Sequence, residues 1–240
     1  MIRVTITGAD DAVDPKDLVA LSRDFPDVEW GILLSDSRKG TPRYPSSEWA
    51  DQVGMLSLRK GMRISGHVCG AWARALCAGD ATRLPVPPMR VQINGYEHSA
   101  FPGVRKVAEA AVTAGHEVEL ILQCRTEADL QATCFEAEKL PNASVLFDPS
   151  GGRGLQPFSW PRAPVGARVG YAGGITPQNV EEVIGDIAAA HSFMLGDFWL
   201  DMESGVRDAD DRFNIWRARE VLERVAKVNS RLASAEVRHA

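Results

Sequence analysis

The segment VGYAGGITPQNVEEVI (residues 169–184) joins a short apolar run to an amphipathic helix through two adjacent glycines. The run before the glycines is typical of a buried strand. Thr176–Pro177 predicts the helix start, because a threonine cap followed by proline suits a first helical turn. Apolar residues then recur at the spacing of one helix face, at Val180, Val183, Ile184 and Ile187. The segment is therefore a strand–turn–helix unit.

Units of the same kind repeat along the whole chain. Eight apolar runs alternate with helical stretches and are predicted strands: Ile2–Thr7, Trp30–Leu34, Ile64–Cys69, Arg90–Ile93, Val118–Gln123, Ser144–Asp148, Arg168–Ala172 and Phe198–Met202. This order predicts an α/β fold, a single (β/α)8 TIM barrel over residues 1–240. A doubly wound sheet is the alternative, because periodicity does not separate the two.

Helix caps and loops fit the same plan. Asp14–Pro15 predicts a helix start, and apolar residues from Ile215 to Val225 follow helical spacing. Residues 81–88 and 149–164 are rich in proline or glycine and are predicted loops.

Composition and charge limit the kinds of partner that the chain is expected to bind. The chain has 240 residues and a formal net charge of -5. A mildly acidic chain argues against a nucleic-acid partner, because such a surface needs a basic stripe. No apolar run is long enough to span a membrane, and the N-terminus reads as a strand rather than a signal peptide. We therefore expect a cytoplasmic protein with no membrane partner.

Cysteine spacing and glycine motifs predict neither a metal nor a cofactor. The four cysteines are scattered without C-x-x-C spacing, so we expect reduced thiols and no metal site. No G-x-G-x-x-G motif follows the first strand, which argues against a nicotinamide or flavin cofactor. The sequence leaves the oligomeric state open.

In a barrel the chemistry lies at the carboxyl ends of the strands, and two turns there suit an anion. Gly173 and Gly174 allow a ligand close to the main chain, at the start of a helix, where backbone amides favour negative charge. The segment DMESG (201–205) makes a second small-residue turn after the last strand. The alternative is a tight turn that needs glycine only for its backbone conformation.

Four other side chains at strand ends are candidates for the site. Asp148 suits a general acid or base, although an aspartate there also commonly caps its own loop. His67 and Cys69 share a face of the third strand by alternation, where an ordinary packed pair is the alternative. Arg43 suits a bidentate contact with a carboxylate or phosphate.

Five segments resemble the phosphoribosylanthranilate isomerase family of tryptophan biosynthesis. YAGGITPQNVEEVI (171–184) is very close to the family's AGGLTPENV segment. FDPSGGRGLQPFSW (147–160), LDMESGV (200–206), TPRYPS (41–46) and VQINGYE (91–97) resemble its segments after strands 6, 8 and 2 and at strand 4. The resemblance spans most of the chain and implies the barrel fold.

The resemblance also implies a reaction and roles for residues. The family converts an N-linked aminoaldose phosphate into an aminoketose phosphate by an Amadori rearrangement. Asp148 corresponds to its general acid and Arg43 to the residue that binds the anthranilate carboxylate. Its phosphate contacts correspond to Gly173, Gly174, Ser204 and Gly205.

The chain departs from the family at several of these positions. Thr7 replaces the cysteine base, and a hydroxyl cannot take a carbon-bound proton at neutral pH unaided. His67 and Cys69 are candidate replacements, and Asp201, equivalent to a family aspartate, is another. Asn94 replaces a histidine. Glu203 replaces a serine beside the expected phosphate, with Arg207 as a candidate counter-charge.

The sequence therefore predicts an isomerase-like enzyme for a small anionic substrate of the sugar phosphate type, with an altered base. Two alternatives stay open. One is a barrel retooled for a lyase or aldolase reaction, which Glu203 favours. The other is a non-catalytic binding protein, which Thr7 favours.

Overall fold

In a computed structural model, which describes residues 1–85, 90–191 and 198–239 with side chains to residue 234, eight parallel strands close into a barrel in chain order. The strands are β1 (Arg3–Thr7), β2 (Val28–Leu34), β3 (Arg63–Val68), β4 (Arg90–Ile93), β5 (Glu119–Cys124), β6 (Ala143–Phe147), β7 (Val169–Ala172) and β8 (Trp199–Met202). The helices are α1 (Pro15–Asp24), α2 (Ser47–Lys60), α3 (Gly70–Cys77), α4 (Phe101–Thr113), α5 (Glu127–Ala137), α6 (Val180–Ala190) and α7 (Ile215–His239).

Barrel closure decides between the two predicted architectures. Each strand pairs with its successor, and β8 pairs with β1 through Val4 opposite Leu200 and Ile6 opposite Met202. A doubly wound sheet has two free edges, whereas every strand here has two neighbours. The predicted (β/α)8 TIM barrel is confirmed.

Local sequence explains where helices begin. Asp14 caps α1 by accepting a hydrogen bond from the backbone N–H of Lys16, and Pro15 occupies the first turn. Ser46 caps α2 through the N–H of Trp49, and Gly61 ends that helix in the left-handed conformation.

Most predicted strand boundaries shift by one or two residues, and three differences lie close to the carboxyl end of the barrel. α6 begins at Val180 rather than at Thr176–Pro177, because the Asn179 side chain accepts from the N–H and hydroxyl of Thr176 and holds a turn there. β3 ends at Val68, so Cys69 caps α3 instead of extending the strand. β6 ends one residue before Asp148.

One of the two predicted loops is confirmed, and the other differs in part. Residues 149–164 contain no helix or strand, as predicted. Residues 81–83 form a short 3-10 turn instead of a fully irregular loop. Residues 86–88, the end of that predicted loop, lie outside the described residues.

The inside of the barrel is half apolar and half polar. The main hydrophobic core lies outside the barrel, between strands and helices. Inside, a small apolar cluster consists of Ile121, Leu146, Ala172 and Trp199. Ion pairs from Arg90 to Glu29 (2.9 Å) and Glu119 (3.2 Å) cross the amino-terminal end of the interior. Strand alternation places these residues inside, so the interior carries an ion cluster at its amino-terminal end together with an apolar cluster.

Candidate active site

A cavity of about 530 Å³ opens at the carboxyl ends of the strands, where barrels hold their functional loops. Of the thirteen residues singled out in the sequence, all but Arg207 line it: Thr7, Arg43, His67, Cys69, Asn94, Asp148, Gly173, Gly174, Asp201, Glu203, Ser204 and Gly205. The fold therefore brings them to one place. Several of their contacts differ from the predicted roles.

Glycines let the loops after β6, β7 and β8 pack against one another. Gly173 and Gly174 have positive φ, at 120° and 64°. A side chain on Gly174 would overlap with the backbone of Gln156, and one on Gly205 would overlap with the carbonyl oxygen of Ile175. Glycine is needed here for close approach of backbone to backbone as well as for turn conformation.

The same turns offer donors to the cavity. Among the described residues, the backbone N–H groups of Gly173, Gly174, Ser204 and Gly205 have no hydrogen-bond partner. Successive unbonded amides of this kind favour an anion. We refer to these four residues as the amide cradle.

Asp148 organises the loop that follows it. Its carboxylate accepts five hydrogen bonds: from the N–H and hydroxyl of Ser150, the N–H groups of Gly151 and Gly152, and the Gln123 amide. An ionised carboxylate only accepts, so this set of donors suits the charged form. The loop-capping alternative is therefore present in the structure. The general-acid role of Asp148 stays a prediction.

Thr7, His67 and Asp201 meet in the buried floor of the cavity. The Thr7 hydroxyl donates to Oδ1 of Asp201 at 3.1 Å, and His67 Nε2 lies 3.9 Å from Oδ2. His67 Nε2 also bonds the Ser65 hydroxyl at 3.1 Å. Gly31 on β2 makes room for this group, because a side chain there would overlap with Thr7 and His67.

Burial sets the protonation of these groups. Burial raises the pKa of Asp201 well above its usual range, against the hydrogen bond from Thr7, and the charge of Asp148 raises it further. Oδ2 of Asp201 is buried and has no hydrogen-bond partner among the described residues. Burial and the charge of Arg90 lower the pKa of His67 to about 3, so the imidazole is neutral at physiological pH. Asp201 therefore keeps its proton to a higher pH than an ordinary carboxyl group does.

Cys69 is held as a thiol. Its sulfur accepts from the Asn94 amide at 3.0 Å and lies 3.9 Å from the Tyr44 hydroxyl. Burial raises the pKa of Cys69 despite these donors. A thiol of raised pKa makes a poorer base at neutral pH, which weakens the case for Cys69 as the replacement.

Arg43 is bound to two carboxylates of its own chain. It contacts Glu203 at 2.6 Å and forms a bidentate pair with Asp211 at 2.6 and 3.2 Å. Hydrogen bonds to Asp211, and then to Glu203, raise the pKa of Arg43. Among the described non-glycine residues, Arg43 and Asp211 alone have positive φ, a strained conformation that often marks functional loops.

Arg207 acts on Glu203 through its charge, which opposes the rise that burial causes in the pKa of that carboxyl, and not through a direct ion pair. The buried Arg207 guanidinium donates to the carbonyl oxygen of Gly8 at 2.6 Å and to Asp211 at 2.8 Å. The direct ion pair of Glu203 is with Arg43, because the β2 loop brings that guanidinium over the β8 loop. Burial still raises the pKa of Glu203, with Arg43 opposing the shift.

Sequence reasoning missed several residues of the cavity wall. Arg38, Gln92, Gln123 and Arg125 all line it. Alternation along the strands predicts that Gln92 and Gln123 point inward, at the same level as other polar residues. Arg125 follows β5 directly, and its position just after a strand indicates that it lies at the rim of the barrel.

The described residues contain neither a group of metal-ligand side chains nor a membrane-spanning helix. Across residues 1–85, 90–191 and 198–239, no three histidine, cysteine or carboxylate side chains are grouped to hold a metal ion. In the same ranges, no helix combines the length and apolar character needed to cross a membrane. All four cysteines are unpaired.

Comparison with known proteins finds similarity at the level of structure. No family model and no curated protein sequence matches the chain. Phosphoribosyl anthranilate isomerase from Thermus thermophilus aligns with TM-score 0.60 and 21% identity, covering 95% of this chain and 100% of its own. TrpF from Jonesia denitrificans aligns with TM-score 0.57 and 17% identity, covering 92% and 95%.

A functionally different barrel aligns nearly as well. Phospho-2-dehydro-3-deoxyheptonate aldolase from Thermotoga maritima has TM-score 0.58 and 10% identity, covering 96% of this chain and 70% of its own. At these identities the likeness shows the shared barrel fold. The fold hosts many chemistries, so function has to be argued from the cavity.

Proposed function

We propose that the protein is an enzyme that isomerises a small phosphorylated sugar derivative by acid–base proton transfer. The reaction class is the aldose–ketose rearrangement of phosphoribosylanthranilate isomerase. The main support for this proposal is the buried Asp201 carboxyl, one oxygen of which has no hydrogen-bond partner in the part of the chain that the structure describes, in the cavity that also contains the amide cradle. The cradle would bind the phosphate, and Asp201 would move the proton.

Asp201 takes the place of the missing cysteine because it lies directly behind Thr7. A carboxyl group with a raised pKa is present in both protonation states nearer neutrality, which a catalytic acid–base group requires. Protonated Asp201 gives its proton to the ring oxygen as the bond from that oxygen to C1 breaks and the nitrogen lone pair forms a C1=N iminium bond. The carboxylate left behind then takes the proton from C2, and the enaminol formed tautomerises to the ketose.

Asp148 and the neutral His67 have supporting roles in this proposal. Asp148 holds the loop of residues 149–152 and, by its charge, raises the pKa of Asp201. His67 lies beside the reacting carboxyl and fixes the polar floor through Ser65. Asp201 acts on the substrate, and the other two set its environment.

The substrate's second half should differ from anthranilate. Arg43 corresponds to the residue that binds the anthranilate carboxylate, yet Glu203 and Asp211 occupy its guanidinium. A carboxylate entering there would compete with two others already in place. We therefore expect weak activity on phosphoribosylanthranilate itself.

The test is turnover of phosphoribosylanthranilate by purified variants, with complementation of a bacterium that lacks the isomerase. We expect slow turnover by the natural protein, reduced at least about a hundredfold in Asp201→Asn, since acid–base groups contribute about that much or more. Asp51→Asn, an exposed aspartate on α2, is the matched control and should retain full activity.

Other outcomes separate the remaining hypotheses. Activity in Thr7→Cys but none in the natural protein would show that the family's site is intact and would remove Asp201 from the base role. If folded variants bind phosphate but none converts phosphoribosylanthranilate, the substrate is a different compound. That result would support the lyase or aldolase alternative. If the folded protein neither turns over nor binds phosphate, the proposal fails.

A further inference from the structure

The cations of the cavity are not equally available to a ligand. Arg43 is paired with Glu203 and Asp211. Arg38 donates to the Tyr44 hydroxyl at 3.1 Å and stacks over that ring at 4.9 Å. Arg125 has no hydrogen bond or ion pair with any residue that the structure describes. Of the three arginines in the cavity wall, Arg125 is thus the one whose charge is uncommitted.

Arg125 is exposed to solvent, and its guanidinium lies over Gly151. A methyl group on Gly151 would lie 3.1, 3.2 and 3.3 Å from Cζ, Nη2 and Nε of Arg125. Because these distances are nearly equal, the guanidinium plane faces Gly151. The flat side of the group therefore covers the loop that Asp148 caps, and its N–H edges are free to donate.

Arg125 also stands where two cavities join. A side cavity of about 260 Å³ shares Gly95, Gln123 and Arg125 with the main one. Tyr96 and His98 form part of its wall, and both bond Glu136, at 2.5 and 2.8 Å. Glu97 and Asp129 line it too, so its interior disfavours an anion. An anionic group is attracted to the junction rather than to the far end of the side cavity.

We propose that the substrate carries two anionic groups: a phosphate on the amide cradle and a second anion, a phosphate or carboxylate, bound by Arg125 at the junction. The side cavity would take an uncharged remainder of the molecule. This inference rests on the proposed function and specifies its substrate class. It also explains why Arg43 can be occupied by Glu203 and Asp211: the second anion of the substrate binds between β5 and β6 instead of at the β2 loop.

The test compares two sugar phosphates that differ by one phosphate group. Ribulose 5-phosphate and ribulose 1,5-bisphosphate are titrated into the natural protein by calorimetry at low salt. We expect the bisphosphate to bind about tenfold more tightly, which is the size of one charge-assisted contact. In Arg125→Gln the two affinities should agree within about twofold, with the monophosphate unchanged, and Arg125→Lys should restore part of the difference.

Arg38→Gln is the matched control, because it removes a guanidinium from the same wall. Arg38→Gln should leave the preference for the bisphosphate intact. An equal loss of that preference in Arg38→Gln and Arg125→Gln would indicate that the overall positive charge of the cavity wall attracts the second phosphate, and would overturn the specific role of Arg125. Binding of the monophosphate with no preference for the bisphosphate would overturn the second anion alone. Binding of neither compound would overturn the amide cradle and the second anion together.

Discussion

In the proposed mechanism, the hydrogen bond between Thr7 and Asp201 links the position of the family's base to the carboxyl group that would replace it. The family that the chain resembles has a thiol at the position of Thr7, and here the hydroxyl donates to a buried carboxyl group. Removing the thiol alone would leave the site without a base. The raised pKa of Asp201 makes a carboxyl group available instead.

Asp201 should also impose a pH dependence on stability. Its folded pKa lies above the unfolded value of about 3.9, so the folded state binds more protons and the free energy of unfolding falls as pH rises through the folded pKa. Asp201→Asn removes this loss while keeping an oxygen for Thr7. Urea unfolding should show the variant matching the natural protein below the unfolded pKa of about 3.9 and exceeding it as pH rises from there, until the difference levels off above the folded pKa. A difference that is constant with pH would contradict the buried carboxyl.

Glu203 determines whether Arg43 can bind a ligand. Glu203→Ser restores the residue type of the resembling family and releases one side of the guanidinium. We expect binding of a phosphorylated N-aryl amino sugar with a benzoate carboxylate to tighten about tenfold, as expected for one charge-assisted hydrogen bond. Calorimetry with the matched ligand lacking the carboxylate is the control: loss of the Glu203 charge beside the amide cradle should tighten both ligands, and the contribution of Arg43 is the extra gain of the ligand with the carboxylate.

At the scale of elements, three loops form one packed unit at the barrel rim. Asp148 caps the loop after β6, whose backbone at Gln156 lies against Gly174 after β7. The loop after β8 reaches Ile175 through Gly205. The amide cradle therefore depends on contacts between loops, and a change in any one of them should disturb the other two.

Gly205→Ala tests this dependence. The added methyl group overlaps with the carbonyl oxygen of Ile175, so the β8 loop must move away from β7. We expect a loss of about 1–3 kcal/mol in the free energy of unfolding, as for overpacking, together with loss of phosphate binding.

Gly185→Ala is the opposite control. It lies in α6 with nothing near the added methyl group, and should stabilise the protein by up to about 1 kcal/mol, because alanine is the better helix former. Equal effects of the two substitutions in urea unfolding and phosphate titration would contradict the packed-loop interpretation.

At the scale of the whole molecule, the barrel interior is unusual in carrying an ion cluster. Arg90 bridges Glu29 and Glu119 and lies 4.4 Å from the centre of the Trp199 ring. The same charges reach the candidate site, since Arg90 lowers the pKa of His67 and Glu29 raises that of Asp201. Stability and chemistry are thus coupled through the interior.

Arg90→Leu should therefore destabilise the whole barrel. Removing the arginine leaves the buried Glu29 without its ion-pair partner, whereas Glu119 keeps its pair with Arg168, and breaking a buried ion pair costs about 3–5 kcal/mol. Arg105→Leu, in an exposed pair with Glu109, should change stability by no more than about 1 kcal/mol. Urea unfolding of both variants measures the contrast, and similar small losses would show that the interior cluster contributes little.

The sequence by itself determined the number, order and approximate bounds of the strands, because alternation and helix periodicity are local properties of the chain. Many of the cavity-lining residues could also be predicted from the sequence, since side chains at the carboxyl ends of parallel strands must meet at one rim. Where a side chain altered the backbone, as Asn179 does at Thr176, the predicted boundary moved by a few residues.

Tertiary structure alone decided which partner each side chain has. Arg43 and Glu203 are 160 positions apart and Thr7 and Asp201 are 194 apart, so no local pattern indicates their contacts. The pKa of Asp201 depends on burial and on charges from other strands, which exist only once the barrel has closed. Sequence periodicity specifies which face a residue lies on, whereas protonation and pairing depend on distances through the folded interior.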